Sequence, residues 1–171
     1  LLLTLPDREL VSGMAEVVKH GIISDPGLFE MCRQGMDWVR QNLETIVKHA
    51  MAVKIKVIEE DPYEKGIRAA LNLGHTVGHA VELVSGFELR HGEAIAIGMV
   101  AEAKYAERIG VANKGLADTI GRVLSNLGLP VEIPADIPRS QIVNAMRVDK
   151  KKNAKTIRFA LPAEIGRVEL V

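Results

Sequence analysis

The stretch at residues 68–82 (RAALNLGHTVGHAVE) constrains the fold of this chain more than any other part of the sequence. It contains no proline, and alanine, leucine and valine fill most of its positions other than the two glycines, which favours a helix. Gly74 and Gly78 recur at an interval of four residues, and each costs a helix roughly 1 kcal/mol relative to alanine. A cost of that size indicates that another element packs closely against this helix or that a ligand binds there.

Polar residues form a stripe along the predicted helix. Arg68, Asn72, His75 and His79 follow one another at spacings of four, three and four, which places them all on one helical face. A guanidinium, an amide and two imidazoles suit a metal and an anionic, hydroxylated ligand. Because burying Arg68 without an anionic partner would be costly, the stripe predicts a metal or anion site.

The spacing alone leaves the ligands of such a site open. A catalytic zinc ion takes three protein ligands, and His75 and His79 could both bind it from one helix. Alternatively, one of them binds the metal and the other serves as a hydrogen-bonding or acid–base group. His49 lies in a charged amphipathic segment and is expected at the surface, whereas His20 is ambiguous. A lone histidine can also be a structural core residue, as in a non-enzymatic all-α interaction module.

The rest of the chain predicts a mainly helical, multi-helix domain with a small C-terminal β-hairpin. Helical periodicity covers residues 8–23, where Glu16, Lys19 and His20 share a face. One helix is expected from about residue 37 or 42 to residue 60, and an apolar helix from residue 94 to 109. Residues 156–161 and 166–171 alternate as strands do and would pair across residues 162–165.

Composition limits the class of protein. The chain has 171 residues, 47% of them hydrophobic, which predicts one folded domain. Its 22 basic and 22 acidic residues give no reason to expect nucleic acid or an anionic membrane as a partner. The sequence shows no membrane-spanning run and no complete nucleotide-binding motif. The single cysteine, Cys32, fits a reducing compartment, so a cytoplasmic location is expected.

Four segments resemble a known family. They are GMAEVVKHGIISD (residues 13–25), GIRAALNLGHTVGHAVE (66–82), RHGEAIAIGMVAEA (90–103) and the tail with DKK and IRFALPAEIG. Together they resemble the C-terminal, mainly helical half of 3-dehydroquinate synthase, a sugar phosphate cyclase. The resemblance implies that residues 1–171 form one metal- and substrate-binding domain and that the N-terminal NAD-binding domain is absent from this chain.

The resemblance also implies roles for individual residues. Glu16, His75 and His91 would bind zinc or cobalt, which leaves His79 to act catalytically beside the substrate. His20 stands where an aromatic residue is common in the family. The other implied residues are the catalytic Lys19, Lys54 and Glu64, the substrate-binding Arg68, Asn72 and Lys151, and the NAD-binding Leu1, Leu2, Leu3 and Thr4.

The activity implied by the resemblance is that of an NAD- and zinc-dependent phosphorus–oxygen lyase of the shikimate pathway, which leads to chorismate and the aromatic amino acids. It would convert 3-deoxy-D-arabino-heptulosonate 7-phosphate to 3-dehydroquinate and phosphate, as a homodimer. Because the family's active site lies between two domains, this chain alone is expected to be inactive. The alternatives are a sister cyclase, such as 2-deoxy-scyllo-inosose synthase or a valiolone-type synthase, and, more distantly, a polyol or glycerol dehydrogenase.

Overall fold

Helices dominate the structure, as the hydrophobic periodicity predicts, and a β-hairpin follows them. The computed structural model describes residues 4–63, 66–152 and 159–171, without the side chains of residues 149–152. In chain order its elements are α1 (Asp7–Ser24), α2 (Pro26–Arg33), α3 (Met36–Gln41), α4 (Leu43–Glu60), a 3₁₀ helix (Ile67–Asn72), α5 (His75–Val84), α6 (His91–Ile109), α7 (Leu116–Asn126), α8 (Arg139–Lys152), β1 (Ala160–Glu164) and β2 (Arg167–Leu170). The predicted fold class is therefore confirmed. Within these residue ranges, no helix is both long and apolar enough to cross a bilayer.

Helix α6 lies at the centre of the domain. It packs against α1, α5, α7 and β1, and its first three turns are buried almost all round. A helix that is apolar on every side is stable only when other elements surround it. On one side of α6 the main core is built with α1, α2, α4 and α7. On the other side α5 and α8 form a smaller core that includes Val81, Ile97 and Ile142.

The prediction of one continuous helix over residues 68–82 is wrong. Residues 67–72 form the 3₁₀ helix, the chain turns at Leu73 and Gly74, and α5 begins at His75. Gly74 has a φ of 79°, in the left-handed region that glycine adopts at no steric cost. The packing expected around the two glycines is confirmed, because a Cβ atom on Gly74 would lie 2.6 Å from Cγ of Met99.

Of the two starts expected for the helix that ends at residue 60, the later one is confirmed, because α4 covers Leu43–Glu60 and the separate helix α3 precedes it. At the junction the Asn42 side chain donates a hydrogen bond to the Trp38 carbonyl. One further boundary differs from the prediction. In the hairpin, β1 continues to Glu164, so the reversal is confined to Ile165 and Gly166 instead of covering residues 162–165. The pairing itself is confirmed, with Ala160 opposite Leu170. Residues 156–158 of the predicted first strand lie outside the described residues.

Candidate metal and substrate site

Three segments that are distant in the sequence meet at one wall of an open cleft of about 360 Å³. Glu16 comes from the middle of α1, while His75 and His91 are the first residues of α5 and α6. The Nε2 atom of His75 lies 3.7 Å from Oε1 of Glu16, and Nε2 of His91 lies 3.8 Å from the same oxygen. Two imidazole nitrogens and one carboxylate oxygen therefore surround a common point.

The carboxylate of Glu16 fits a cation at that point. Its Oε2 atom lies 2.7 Å from Nζ of Lys19, whereas Oε1 is buried and has no hydrogen-bond partner in the part of the chain that the structure describes. A buried acceptor without a partner is costly, and a divalent metal would satisfy it. Imidazole nitrogens and a carboxylate oxygen are also the donor atoms that Zn2+ takes in catalytic sites, so these three residues would hold such an ion.

A hydrogen bond orients the imidazole of His75 for metal binding, and a carboxylate lies close to that of His91. Nδ1 of His75 lies 3.1 Å from the Leu73 carbonyl, which can only accept, so Nδ1 carries the proton and Nε2 has a free lone pair. Nδ1 of His91 lies 3.6 Å from a carboxylate oxygen of Glu82. Burial and the nearby Lys19 ammonium lower the pKa of His75 to about 4. The imidazole of His75 is therefore neutral, the form that binds a metal, at neutral pH.

A second set of three ligands shares two of these residues. The ligand atoms of His75, His79 and His91 all lie within 4.8 Å of one another. The His79 ring is exposed, and its centroid lies 5.1 Å from that of His75 and 5.8 Å from that of His91. The two sets differ only in whether Glu16 or His79 is the third ligand, and the buried, unpaired Oε1 of Glu16 favours the first.

Cations line the cleft beside the candidate metal point. Lys19 is only 3% exposed, and its burial lowers the pKa of its ammonium even though Glu16 opposes that shift. Burial alone would raise the pKa of Glu16, but the Lys19 ammonium together with His75 and His20 more than offsets it, so the pKa lies below its usual value. Lys54, Arg68 and Asn72 line the same cleft. This surface suits an anionic, hydroxylated small molecule.

The predicted polar stripe is thus brought together, but not by one helical face. Arg68 and Asn72 reach the cleft from the 3₁₀ helix, and His75 from the first turn of α5. Arg68 also donates a hydrogen bond of 3.0 Å to the Pro62 carbonyl. The residues at spacings of four, three and four therefore do lie close together, but the single helical face that was predicted does not exist, because a 3₁₀ helix and a left-handed glycine precede α5.

His20 belongs to the cleft, although the sequence left it ambiguous. It is only 6% exposed, it lines the cleft, and its buried Nδ1 has no partner among the described residues. Burial, together with the Lys19 ammonium, lowers the pKa of His20 to about 4. The signal available in the sequence was its position four residues after Glu16, on the same face of α1.

His49 lies away from the cleft and is half-exposed, as expected. Its Nδ1 atom is 2.8 Å from Oδ2 of Asp25, so it joins α4 to the corner between α1 and α2. Thr4 is an exposed residue just before α1. The other predicted residues lie outside the described part: Leu1, Leu2, Leu3, Glu64 and the side chain of Lys151.

Solved structures define the class of protein to which this fold belongs. A 2-deoxy-scyllo-inosose synthase complexed with carbaglucose-6-phosphate, NAD+ and Co2+ matches with a TM-score of 0.85 and 28% identity, over 99% of this chain and 48% of that chain. A 2-epi-5-epi-valiolone synthase from Streptomyces hygroscopicus, with NAD+ and Zn2+ bound, shares the fold at a TM-score of 0.85 and 24% identity, over 99% of this chain and 49% of its own. The fold is that of the sugar phosphate cyclases.

The sequence narrows this class to one family. Residues 13–152 match the family model described as 3-dehydroquinate synthase C-terminal. The 3-dehydroquinate synthase of a Synechococcus species is 42% identical over 98% of this chain and 47% of its own length, and that of Crocosphaera subtropica is 37% identical over 99% and 48%. The chain belongs to the 3-dehydroquinate synthase family and spans about half the length of the curated relatives it matches.

Proposed function

We propose that this chain is the metal- and substrate-binding half of a 3-dehydroquinate synthase. The reaction would convert 3-deoxy-D-arabino-heptulosonate 7-phosphate to 3-dehydroquinate and phosphate. The observation that carries the proposal is the approach of two imidazole Nε2 atoms to the buried, unpaired Oε1 of Glu16, beside a cleft lined by cations. The identity of 37–42% to curated 3-dehydroquinate synthases supports this choice among the cyclases.

In this proposal Glu16, His75 and His91 hold a divalent metal, Zn2+ or Co2+. The metal would polarise substrate hydroxyl groups as a Lewis acid, and NAD, held mainly by an N-terminal half, would supply the transient oxidation. Lys19 keeps Oε2 of Glu16 engaged, which leaves Oε1 directed at the metal position. The Leu73 carbonyl and Glu82 hold the two imidazoles with Nε2 facing the same point.

The remaining site residues act on the substrate. Arg68 and Lys54 neutralise its phosphate and carboxylate, and Asn72 hydrogen-bonds its hydroxyl groups. His79, exposed beside the metal position, moves protons to and from the substrate. Three further roles complete the proposed set. Lys151 would bind the phosphate, and Glu64 would be a catalytic residue. NAD would contact Leu1, Leu2, Leu3 and Thr4.

The whole enzyme would be an NAD-dependent phosphorus–oxygen lyase of the shikimate pathway, homodimeric and cytoplasmic. This chain covers only about half of the length of each relative, which supports an N-terminal NAD-binding domain as its necessary partner. Because one wall of the cleft would come from that domain, the chain alone should be inactive.

The decisive experiment measures phosphate release from the heptulosonate phosphate by the joined protein, meaning this chain preceded by an NAD-binding half, with NAD and Zn2+ present. We expect release that stops when a chelator removes the metal. The similarity to an enzyme that binds carbaglucose-6-phosphate makes 2-deoxy-scyllo-inosose synthase the second candidate. Release from glucose 6-phosphate and none from the heptulosonate phosphate would replace the first proposal with the second.

Single substitutions test the ligand assignment. Glu16→Ala and His91→Ala should each weaken Zn2+ binding by more than about 100-fold, since even residues that only support metal ligands account for about 10- to 100-fold. His79→Ala should retain the metal and slow turnover. Isothermal titration of Zn2+ into each variant checks this, and metal loss in His79→Ala with retention in Glu16→Ala would establish the three-histidine set instead.

A further inference from the structure

Helix α5 receives the cap of its N-terminus from another helix. Gly74, its N-cap residue, has no side chain with which to satisfy the free N–H groups of the first turn. Oε2 of Glu102, on α6, accepts a hydrogen bond of 2.6 Å from the Gly74 N–H, and Oε1 accepts one of 3.1 Å from the Val77 N–H. Glu102 lies 28 residues after Gly74 and is 1% exposed.

The two capped N–H groups flank the proposed metal ligand His75. Gly74 directly precedes His75 and Val77 follows it by two residues, so the carboxylate holds the backbone on both sides of this ligand. Helix α6 also carries His91 at its own start. Glu102 therefore connects the two helices from which the proposed histidine ligands extend.

Charge and packing make this connection rigid. A carboxylate at a helix N-terminus is favoured by the helix dipole and by charge-assisted hydrogen bonds. Close to it, a Cβ atom on Gly98 of α6 would lie only 2.0 Å from the Gly74 carbonyl oxygen, so the two backbones are in direct contact. A movement of the start of α5 relative to α6 would break both the hydrogen bonds and this contact.

We propose that Glu102 is a positioning residue of the metal site, which sets the place and direction of the His75 imidazole through the first turn of α5. This inference rests on the proposed function, in which His75 binds the metal. It goes beyond the ligand set because both carboxylate oxygens of Glu102 accept hydrogen bonds from backbone N–H groups, and Glu102 is not one of the proposed ligands.

The same helix offers a matched control. Oε1 of Glu107 accepts a hydrogen bond of 2.8 Å from the Ala117 N–H in the first turn of α7. Glu107 thus caps a neighbouring helix as Glu102 does, but α7 carries none of the proposed ligands. If each glutamate only stabilised the helix that it caps, replacing Glu102 or Glu107 would have the same effect on metal binding.

The test measures Co2+ affinity and the visible ligand-field spectrum of bound Co2+ in the joined protein and its variants, with folding checked by circular dichroism. Glu102→Ala should bind Co2+ about 10- to 100-fold more weakly and with an altered spectrum. Glu102→Gln retains one acceptor oxygen, so its affinity should fall by about 3- to 10-fold. Glu107→Ala should keep the wild-type affinity and spectrum.

The outcomes separate this inference from the function on which it rests. If the unsubstituted protein binds no Co2+, the proposed metal site and this inference both fail. If it binds Co2+ and the Glu102 variants keep its affinity and spectrum, only the positioning role is overturned. An equal effect of Glu107→Ala would overturn it as well. Should Glu102→Ala not fold, Glu102→Gln decides the question by the same two measurements.

Discussion

Helices α1 and α5 both present residues to the cleft, but they do so in different ways. In α1, Glu16, Lys19 and His20 lie within an uninterrupted helix, one turn apart. In α5, His75 is the first residue, and a left-handed glycine and a 3₁₀ helix precede it. The interior of a helix presents side chains by periodicity alone, whereas the direction of a helix start depends on what lies next to it.

The caps of α2 and α5 show the same contrast. Asp25, at the end of α1, caps α2 locally, because its Oδ1 accepts a hydrogen bond of 2.9 Å from the Leu28 N–H three residues later. Helix α5 depends on the remote carboxylate of Glu102. A local cap is encoded in a few consecutive residues, while a remote cap exists only after the helices have packed.

The largest expected effect on stability comes from a methyl group added at the contact between α5 and α6, and the same change in α1 serves as its comparison. Gly98→Ala would place a Cβ atom 2.0 Å from the Gly74 carbonyl oxygen, so we expect a loss of about 3 kcal/mol in the free energy of unfolding. Gly13→Ala adds a methyl group to α1 where no other atom lies within 4 Å, so it should stabilise the protein by about 0.5–1 kcal/mol. Urea unfolding followed by circular dichroism measures both. If Gly98→Ala left the free energy of unfolding unchanged, α5 and α6 would be able to move apart without loss of stability.

His20, on the buried face of α1, should make the free energy of unfolding depend on pH by a similar amount. The pKa of His20 is about 4 in the folded protein against a usual value of 6.5, so the unfolded chain takes up a proton first as the pH falls. The stability that neutral His20 confers is complete above pH 6.5 and is lost between pH 6.5 and about 4, on the order of 3 kcal/mol.

Unfolding of the metal-free protein at a series of pH values measures this loss. Burial also lowers the pKa of His75 to about 4, so part of the slope should remain when His20 is replaced. His20→Phe should reduce the slope between pH 6.5 and 4, because phenylalanine does not titrate. An unchanged slope in this variant would mean that His20 does not contribute to the acid sensitivity of α1.

The smallest expected effect concerns the local cap. Asp25→Ala removes the acceptor of the Leu28 N–H and the partner of His49, and it should lower the free energy of unfolding by about 1 kcal/mol. Asp118→Ala removes a carboxylate from the first turn of α7 and should cost only about 0.3 kcal/mol. Thermal unfolding of the two variants side by side checks the difference. Equal costs would mean that Asp25 acts through charge alone and not as a cap.

The sequence by itself determined the helical class and the terminal hairpin, and it predicted residues that the structure brings together in the candidate site. Periodicity placed Glu16, Lys19 and His20 on one face of α1, and the Asp25–Pro26 pair marked the boundary with α2. These features depend on interactions between residues within one or two turns of each other. Such interactions can be recognised in a short stretch of sequence.

Tertiary structure alone decided how the chain enters α5, that His20 is buried beside the cleft and that Glu102 caps α5. In the sequence, Gly74 fits the interior of a helix as well as its start, and only the close approach of α6 selects the left-handed turn. Glu102 reads as a surface charge until packing buries it against N–H groups 25 and 28 residues away. The physical reason is that a buried carboxylate or a glycine contact acquires its energy from atoms distant in the chain, and local propensity contains no information about them.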